Sequence, residues 1–125
     1  MKAVINELAP HAIGPYSQAI QTGNLLYCSG QTHLNPNTMK IESDTIEEQT
    51  RQAIANLKLI LQKAGLDLDR VVKTNVFLAD MSLFVKMNAV YAECFGNHKP
   101  ARSTIDVKGL PMNALVEMEC IAEFN

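Results

Sequence analysis

Tryptophan is absent from this chain, and cysteine and histidine occur only three times each. Cys28, Cys94 and Cys120 are odd in number and show no CxxC spacing. That excludes a disulfide framework and a cysteine zinc site, and it points to a reducing cytoplasm. Each thiol falls in an apolar pattern and is read as core filling. His11, His33 and His98 share no metal-ligand spacing with one another or with a cysteine, so no metal is expected and all three are read as solvated loop residues. No apolar run approaches the length of about 18 residues that a membrane span needs. Met1-Lys2-Ala3 leads straight into a strand-like segment without an apolar signal core, so export is not expected. Cationic excess is also missing. The net charge is -2, which supplies no general attraction to nucleic acid. No G-x-S-x-G, P-loop or dinucleotide fingerprint occurs, which leaves a cofactor-free site or none.

What is present fits one domain spanning residues 1–125, with 47% hydrophobic and 19% charged residues, enough for a small core. Val4-Ile5 reads as a short edge strand. Gly14-Pro15 punctuates a loop that fixes where Tyr16 emerges. Residues 17–29 read as a hairpin turned at Gly23-Asn24 and followed by a second glycine-bearing loop, Ser29-Gly30-Gln31. Asp44 with Glu47 fits a capping box. The helix it opens carries Ile46, Ala53, Ile54, Leu57, Ile60, Leu61 and Ala64 on one stripe and stops at Gly65.

Val71 to Ala79 is short, β-branched and aromatic, hence a strand. Asp80 can cap a second helix whose stripe runs Leu83, Phe84, Met87, Val90, Tyr91, Cys94 and Phe95, a core pattern that leaves Asn88 at the rim of the helix–sheet interface. Ser103 to Val107 is a strand turned at 108–111. Ala114 to Phe124 alternates between an apolar face and a mixed face bearing Leu115, Glu117, Glu119, Ile121 and Glu123. The order predicts an α+β layer, one sheet with both helices on one face. Apolar residues among the glutamates of the other face suggest that symmetric self-association covers it.

The chemistry gathers around Lys99-Pro100-Ala101-Arg102-Ser103. Pro100 ends the helical pattern and holds Lys99 extended, so Arg102 stands on a stiffened backbone. Its planar fork suits a carboxylate or phosphate. Counting an antiparallel hairpin about residues 109–112 puts Glu117 opposite residue 104, a diagonal step from Arg102. The pair reads either as a structural ion pair or as an anchor for a substrate carboxylate beside a carboxylate that positions or deprotonates water.

Five stretches in register resemble one family: Ile13-Gly14-Pro15-Tyr16-Ser17-Gln18-Ala19, Ser29-Gly30-Gln31, Val72-Lys73-Thr74 with Val76-Phe77-Leu78-Ala79-Asp80-Met81, Pro100-Ala101-Arg102-Ser103, and Leu115-Val116-Glu117-Met118-Glu119. Together they resemble the reactive-intermediate deaminases (RidA/YjgF) over nearly the whole chain. The resemblance implies a chorismate-mutase-like α+β fold and a homotrimer with sites between subunits. It implies cofactor-free hydrolysis of 2-imino acids, or their enamine tautomers, to 2-keto acids and ammonia. By position it gives Arg102 the substrate carboxylate and Glu117 the attacking water, with Tyr16, Ser29, Gly30, Asn88 and Thr104 lining the pocket. Many members carry cysteine where this chain has Thr104; a mechanism needing that thiol is closed to it, whereas one using the backbone carbonyl is not. Two other readings stay open: a module that senses small carboxylates in the same cleft, and an endoribonuclease, against which the net charge and scattered histidines stand.

Overall fold

The computed structural model describes residues 1–125. The chain runs β1 (Lys2–Val4), β2 (Ala19–Thr22), β3 (Leu25–Gln31), α1 (Ile46–Lys63), β4 (Val71–Leu78), α2 (Phe84–Phe95), β5 (Ala101–Asp106) and β6 (Val116–Glu123). The strands form one six-stranded sheet in the order β1-β2-β3-β6-β4-β5. Both helices cover one face, as the alternating patterns predict.

The long helix begins one residue later than the Asp44 capping box implies. Thr45 is the cap, and its hydroxyl accepts from the Glu48 amide at 3.3 Å. The Thr45–Glu48 pair has the same spacing as Asp44–Glu47, and the burial of Ile46 decides between them, because the first turn must already face the core. The predicted stripe is borne out: Ala53, Ile54, Leu57, Ile60 and Leu61 are buried. Gly65 closes the helix at φ +82, a conformation that costs glycine little and other residues much. Asp80 likewise caps a short turn at 81–83, accepting from the Ser82 amide, and α2 follows directly from that turn.

The largest departure from expectation is the pairing of the last two strands. They do not form a hairpin. Helix α2 returns the chain to the start of β4, so β5 runs parallel to β4, with Thr74 opposite Arg102 and Val76 opposite Thr104. Strand β6 then inserts on the other side of β4, antiparallel to both β4 and β3, with Phe77 opposite Glu117 and Cys28 opposite Cys120. Counting across a hairpin assumed that consecutive strands are neighbours; here β4 lies between them.

Pleating divides the side chains cleanly. Thr74, Val76 and Leu78 of β4 and Val116, Met118, Cys120 and Ala122 of β6 are buried against the helices. On the open face lie Tyr27, Phe77, Ile105 and Ile121, among Glu117, Glu119 and Asn75, whose amide donates to Glu119 at 3.1 Å. Leu115 is not part of this face. It precedes β6 and packs against the core, and its amide donates to Gln49 Oε1 at 2.8 Å.

Buried amides tie the loops to α1. Asn56 donates to the carbonyls of Thr32 (3.0 Å) and Leu34 (2.9 Å) and accepts from Gln52. Asn56→Ala strands two carbonyls beside the loop that follows β3, so it should destabilise the protein by about 2 kcal/mol or more. Denaturant melts of the two proteins check this, and an unchanged midpoint contradicts it.

Candidate active site

Arg102 is the second residue of β5 and points toward α2. Its Nη1 donates to Asn88 Oδ1 at 2.8 Å. The guanidinium carbon stands 4.7 Å from the centre of the Tyr91 ring and 5.6 Å from that of Phe84. Residues 84, 88 and 91 share one helical face, which brings both rings and the amide to the same guanidinium. The three ion pairs of the chain join Arg51 to Glu93, Lys58 to Asp67 and Arg70 to Glu123, and none includes Arg102. Its charge is met only by an amide oxygen and two aromatic faces, so it is free to take an anion. With Lys99, His98 and Pro100 it lines a hollow of about 410 Å³.

Glu117 projects from the opposite face. Its carboxylate lies directly over the backbone of Gly30: a Cβ at that position would fall 2.7 Å from Oε2, so only glycine admits the approach. Burial first, and the neighbouring Glu119 second, push the Glu117 carboxyl above its ordinary value. Tyr16, Gly30, Gln31, Pro111 and Met112 share with it a cavity of about 70 Å³. Met112, at its rim, holds positive φ, as does Asn113 after it. Ser29 sits beside Gly30, its hydroxyl bonded to the Ser17 carbonyl at 2.6 Å and its amide donating to Gln18.

The residues expected at the site therefore form two groups. Tyr16, Ser29, Gly30 and Glu117 lie together, as do Asn88 and Arg102, but the sheet separates the groups within one chain. The predicted diagonal contact between Arg102 and Glu117 does not exist here. Thr104 is on the helix-facing side with Arg102, and its hydroxyl is buried without a hydrogen-bond partner. The structural ion pair between Arg102 and Glu117 is excluded by the same geometry.

Two histidines differ from expectation. His98 is half-buried, its Nε2 bonded to the Val71 carbonyl at 2.7 Å, and it lines the arginine hollow. His33 is 3% exposed with neither ring nitrogen partnered, and burial lowers its pKa, which favours the neutral ring. It borders a separate hollow between the 33–43 loop and α1 that holds none of the expected site residues. No group of three or more His, Cys, Asp or Glu side chains is placed to hold a metal ion. Cys28 and Cys120 are buried opposite each other on the helix-facing side, where a hydrogen bond with Cys28 and burial push the Cys120 thiol far up. Tyr91 and Phe84 were hidden in the sequence because an aromatic on an apolar stripe reads as core. The one available signal was Asn88 between them on the same helical face.

A family profile described as Endoribonuclease L-PSP matches residues 6–124. A RutC family protein of Pyrococcus horikoshii is 51% identical, over 98% of each chain. Reactive Intermediate Deaminase A, chloroplastic, of Arabidopsis thaliana is 47% identical over 97% of this chain and 65% of that one. Among solved structures, E. coli TdcF with bound serine superposes with a TM-score of 0.95 at 35% identity, covering 100% of both chains. With the sheet order, the two one-sided helices and the five motifs in register, these matches establish that the chain belongs to the RidA/YjgF family, whose profile carries the L-PSP name.

Proposed function

We propose that this protein is a cofactor-independent deaminase that hydrolyses 2-iminobutanoate and 2-iminopropanoate, or their enamine tautomers, and that it works as a homotrimer in the cytoplasm. The observation that carries the reading is the separation of an unpaired arginine from a buried glutamate on opposite faces of one sheet. A second copy seated on the open face, where Tyr27 and Ile105 are exposed and Phe77 and Ile121 half-buried, would set its own Arg102 against this chain's Glu117. The serine held by the related TdcF, an amino acid with an α-carboxylate, supports a pocket for small carboxylates.

The chemistry needs little more. Arg102 binds the substrate carboxylate and Asn88 keeps its fork in place. An imine carbon is already electrophilic, so a positioned water suffices. Glu117, in its ionised form, takes a proton from that water as the oxygen attacks. The resulting carbinolamine receives a proton on nitrogen and expels ammonia as the carbonyl forms. One water is consumed, one 2-keto acid and one ammonia are released, and Glu117 returns to its ionised state. The Thr104 carbonyl is available to orient the water, which makes a thiol at that position unnecessary.

Turnover of freshly generated 2-iminobutanoate is the deciding measurement; binding of 2-ketobutyrate without turnover would favour the sensing module instead. Light scattering should report about three chain masses. Ile121→Asp should yield monomers with no turnover, and a fully active monomer would refute the shared site.

Arg102→Ala should lower kcat/KM at least about tenfold, since a charged hydrogen bond contributes ~1.5–3 kcal/mol and ~1.4 kcal/mol is a factor of ten. Arg102→Lys should restore only part. Glu117→Ala should lose turnover yet still bind 2-ketobutyrate. Refolding the two inactive variants together should regenerate activity at about one site in four, because random assembly pairs an intact arginine with an intact glutamate that often. No recovery in mixed trimers would place both groups in one subunit.

Burial raises the Glu117 pKa, and the reaction needs its ionised form, so kcat/KM should fall as the pH drops through a value above the ordinary carboxylate range. The same shift disfavours the folded state once the pH passes the unfolded value, since the unfolded chain releases that proton first. Glu117→Gln should therefore melt higher than the wild type at neutral pH, and the difference should vanish as the pH falls below the unfolded carboxyl pKa. An acid limb at the ordinary glutamate value, with equal melting temperatures at neutral pH, would refute the assignment.

A further inference from the structure

We propose that Tyr91 is a positioning residue for the carboxylate anchor: its ring face, fixed through its hydroxyl to Thr74, sets the plane of the Arg102 guanidinium. The inference rests on the reading of Arg102 as the group that binds the substrate carboxylate.

Three contacts close a triangle. Thr74 and Arg102 are opposite each other on adjacent parallel strands, so the sheet fixes their separation. Thr74 Oγ1 and the Tyr91 hydroxyl are 2.8 Å apart and buried. The Tyr91 ring then stands 4.7 Å from the Arg102 guanidinium carbon. The backbone of β4 thus determines where the ring sits, and the ring determines where the guanidinium lies. Phe95 backs the ring at 4.5 Å between centres, with planes 25° apart, which limits its tilt. Asn88 fixes one end of the guanidinium through Nη1, and Phe84 covers it more loosely at 5.6 Å.

The choice of a ring over a carboxylate has a chemical reason. An arginine held by Asp or Glu would be oriented equally well, but its charge and donors would be occupied. A ring face stabilises the cation through its quadrupole and takes none of the N–H groups. The contact with Asn88 uses one donor, which leaves the others for an incoming carboxylate. Tyr91 must remain neutral for this, because a phenolate would become the counterion. Burial raises its pKa, against smaller opposing effects of Thr74 and Arg102, and keeps it protonated at physiological pH.

A core tyrosine and a positioning tyrosine differ in how they respond to ring electrostatics at constant shape. The test replaces Tyr91 in the full-length protein by phenylalanine and by mono-, di- and trifluorinated phenylalanines, and measures 2-ketobutyrate binding by calorimetry together with KM, kcat and the melting temperature. The dissociation constant should rise stepwise with fluorine number, by about tenfold in total, with KM following it. In an Arg102→Ala background the same series should be flat. Thr74→Val, which leaves the ring in place but frees its hydroxyl, should weaken binding a fewfold and serves if the fluorinated proteins do not fold. If Arg102→Ala loses binding while the fluorinated series and Thr74→Val bind as tightly as the parent, Tyr91 is core and the inference fails, although the anchor stands. If Arg102→Ala itself binds the keto acid normally, the anchor reading fails and the inference with it.

Discussion

Strand β4 is paired on both sides, parallel to β5 and antiparallel to β6, and this double pairing governs everything at the candidate site. Because side chains alternate along a strand, the registers Thr74–Arg102 and Phe77–Glu117 send the arginine and the glutamate to opposite faces. A one-residue slip of β6 would bring both to one face and turn that strand inside out, exposing Met118 and Cys120 and burying Glu119. The hydrophobic pattern of β6 forbids it. The position of the charges is thus a by-product of the core, enforced by the strongest term in the fold.

Much of this was legible in the sequence. The α1 stripe, the β2–β3 hairpin, the alternation of β6 and the helix–strand order follow from periodicity, and the structure reproduces them to within a few residues; the exception is Ser29-Gly30-Gln31, which reads as a loop but continues β3. Arg102 was conspicuous beside Pro100, and Glu117 stood out on a mixed strand face. Their relation was not legible. Periodicity reports which face a residue takes relative to its own strand, but it does not say which strand lies alongside. The nine-residue link between β5 and β6 looks like a hairpin loop locally, and only the closure of the whole sheet sends β6 to the far side of β4. His33 escaped for a similar reason: a histidine in a loop looks solvated until Asn56 pulls the loop backbone onto α1.

Arg102 also shows how a cation can be made ready without being neutralised. Every neighbour that fixes it is formally uncharged, and its strand places it where the 410 Å³ hollow opens. Glu117 is arranged in the complementary manner, with its carboxylate pressed against a glycine backbone, partly out of water and beside a second carboxylate. Glu117 is held in a state that costs stability within a single chain, a common signature of sites that act rather than brace.

The placement of the two groups has a thermodynamic consequence. In a trimer whose sites lie between subunits, a ligand that touches Arg102 of one chain and Glu117 of the next binds the assembled form and cannot bind the separated chains in the same way. Binding and assembly are then linked, and the linkage is reciprocal: each strengthens the other by the same factor. Dilution weakens apparent affinity for the carboxylate, and the carboxylate resists dissociation of the subunits. In such an assembly, the sheet that keeps two charges apart in one chain would make a small carboxylate part of what holds the subunits together.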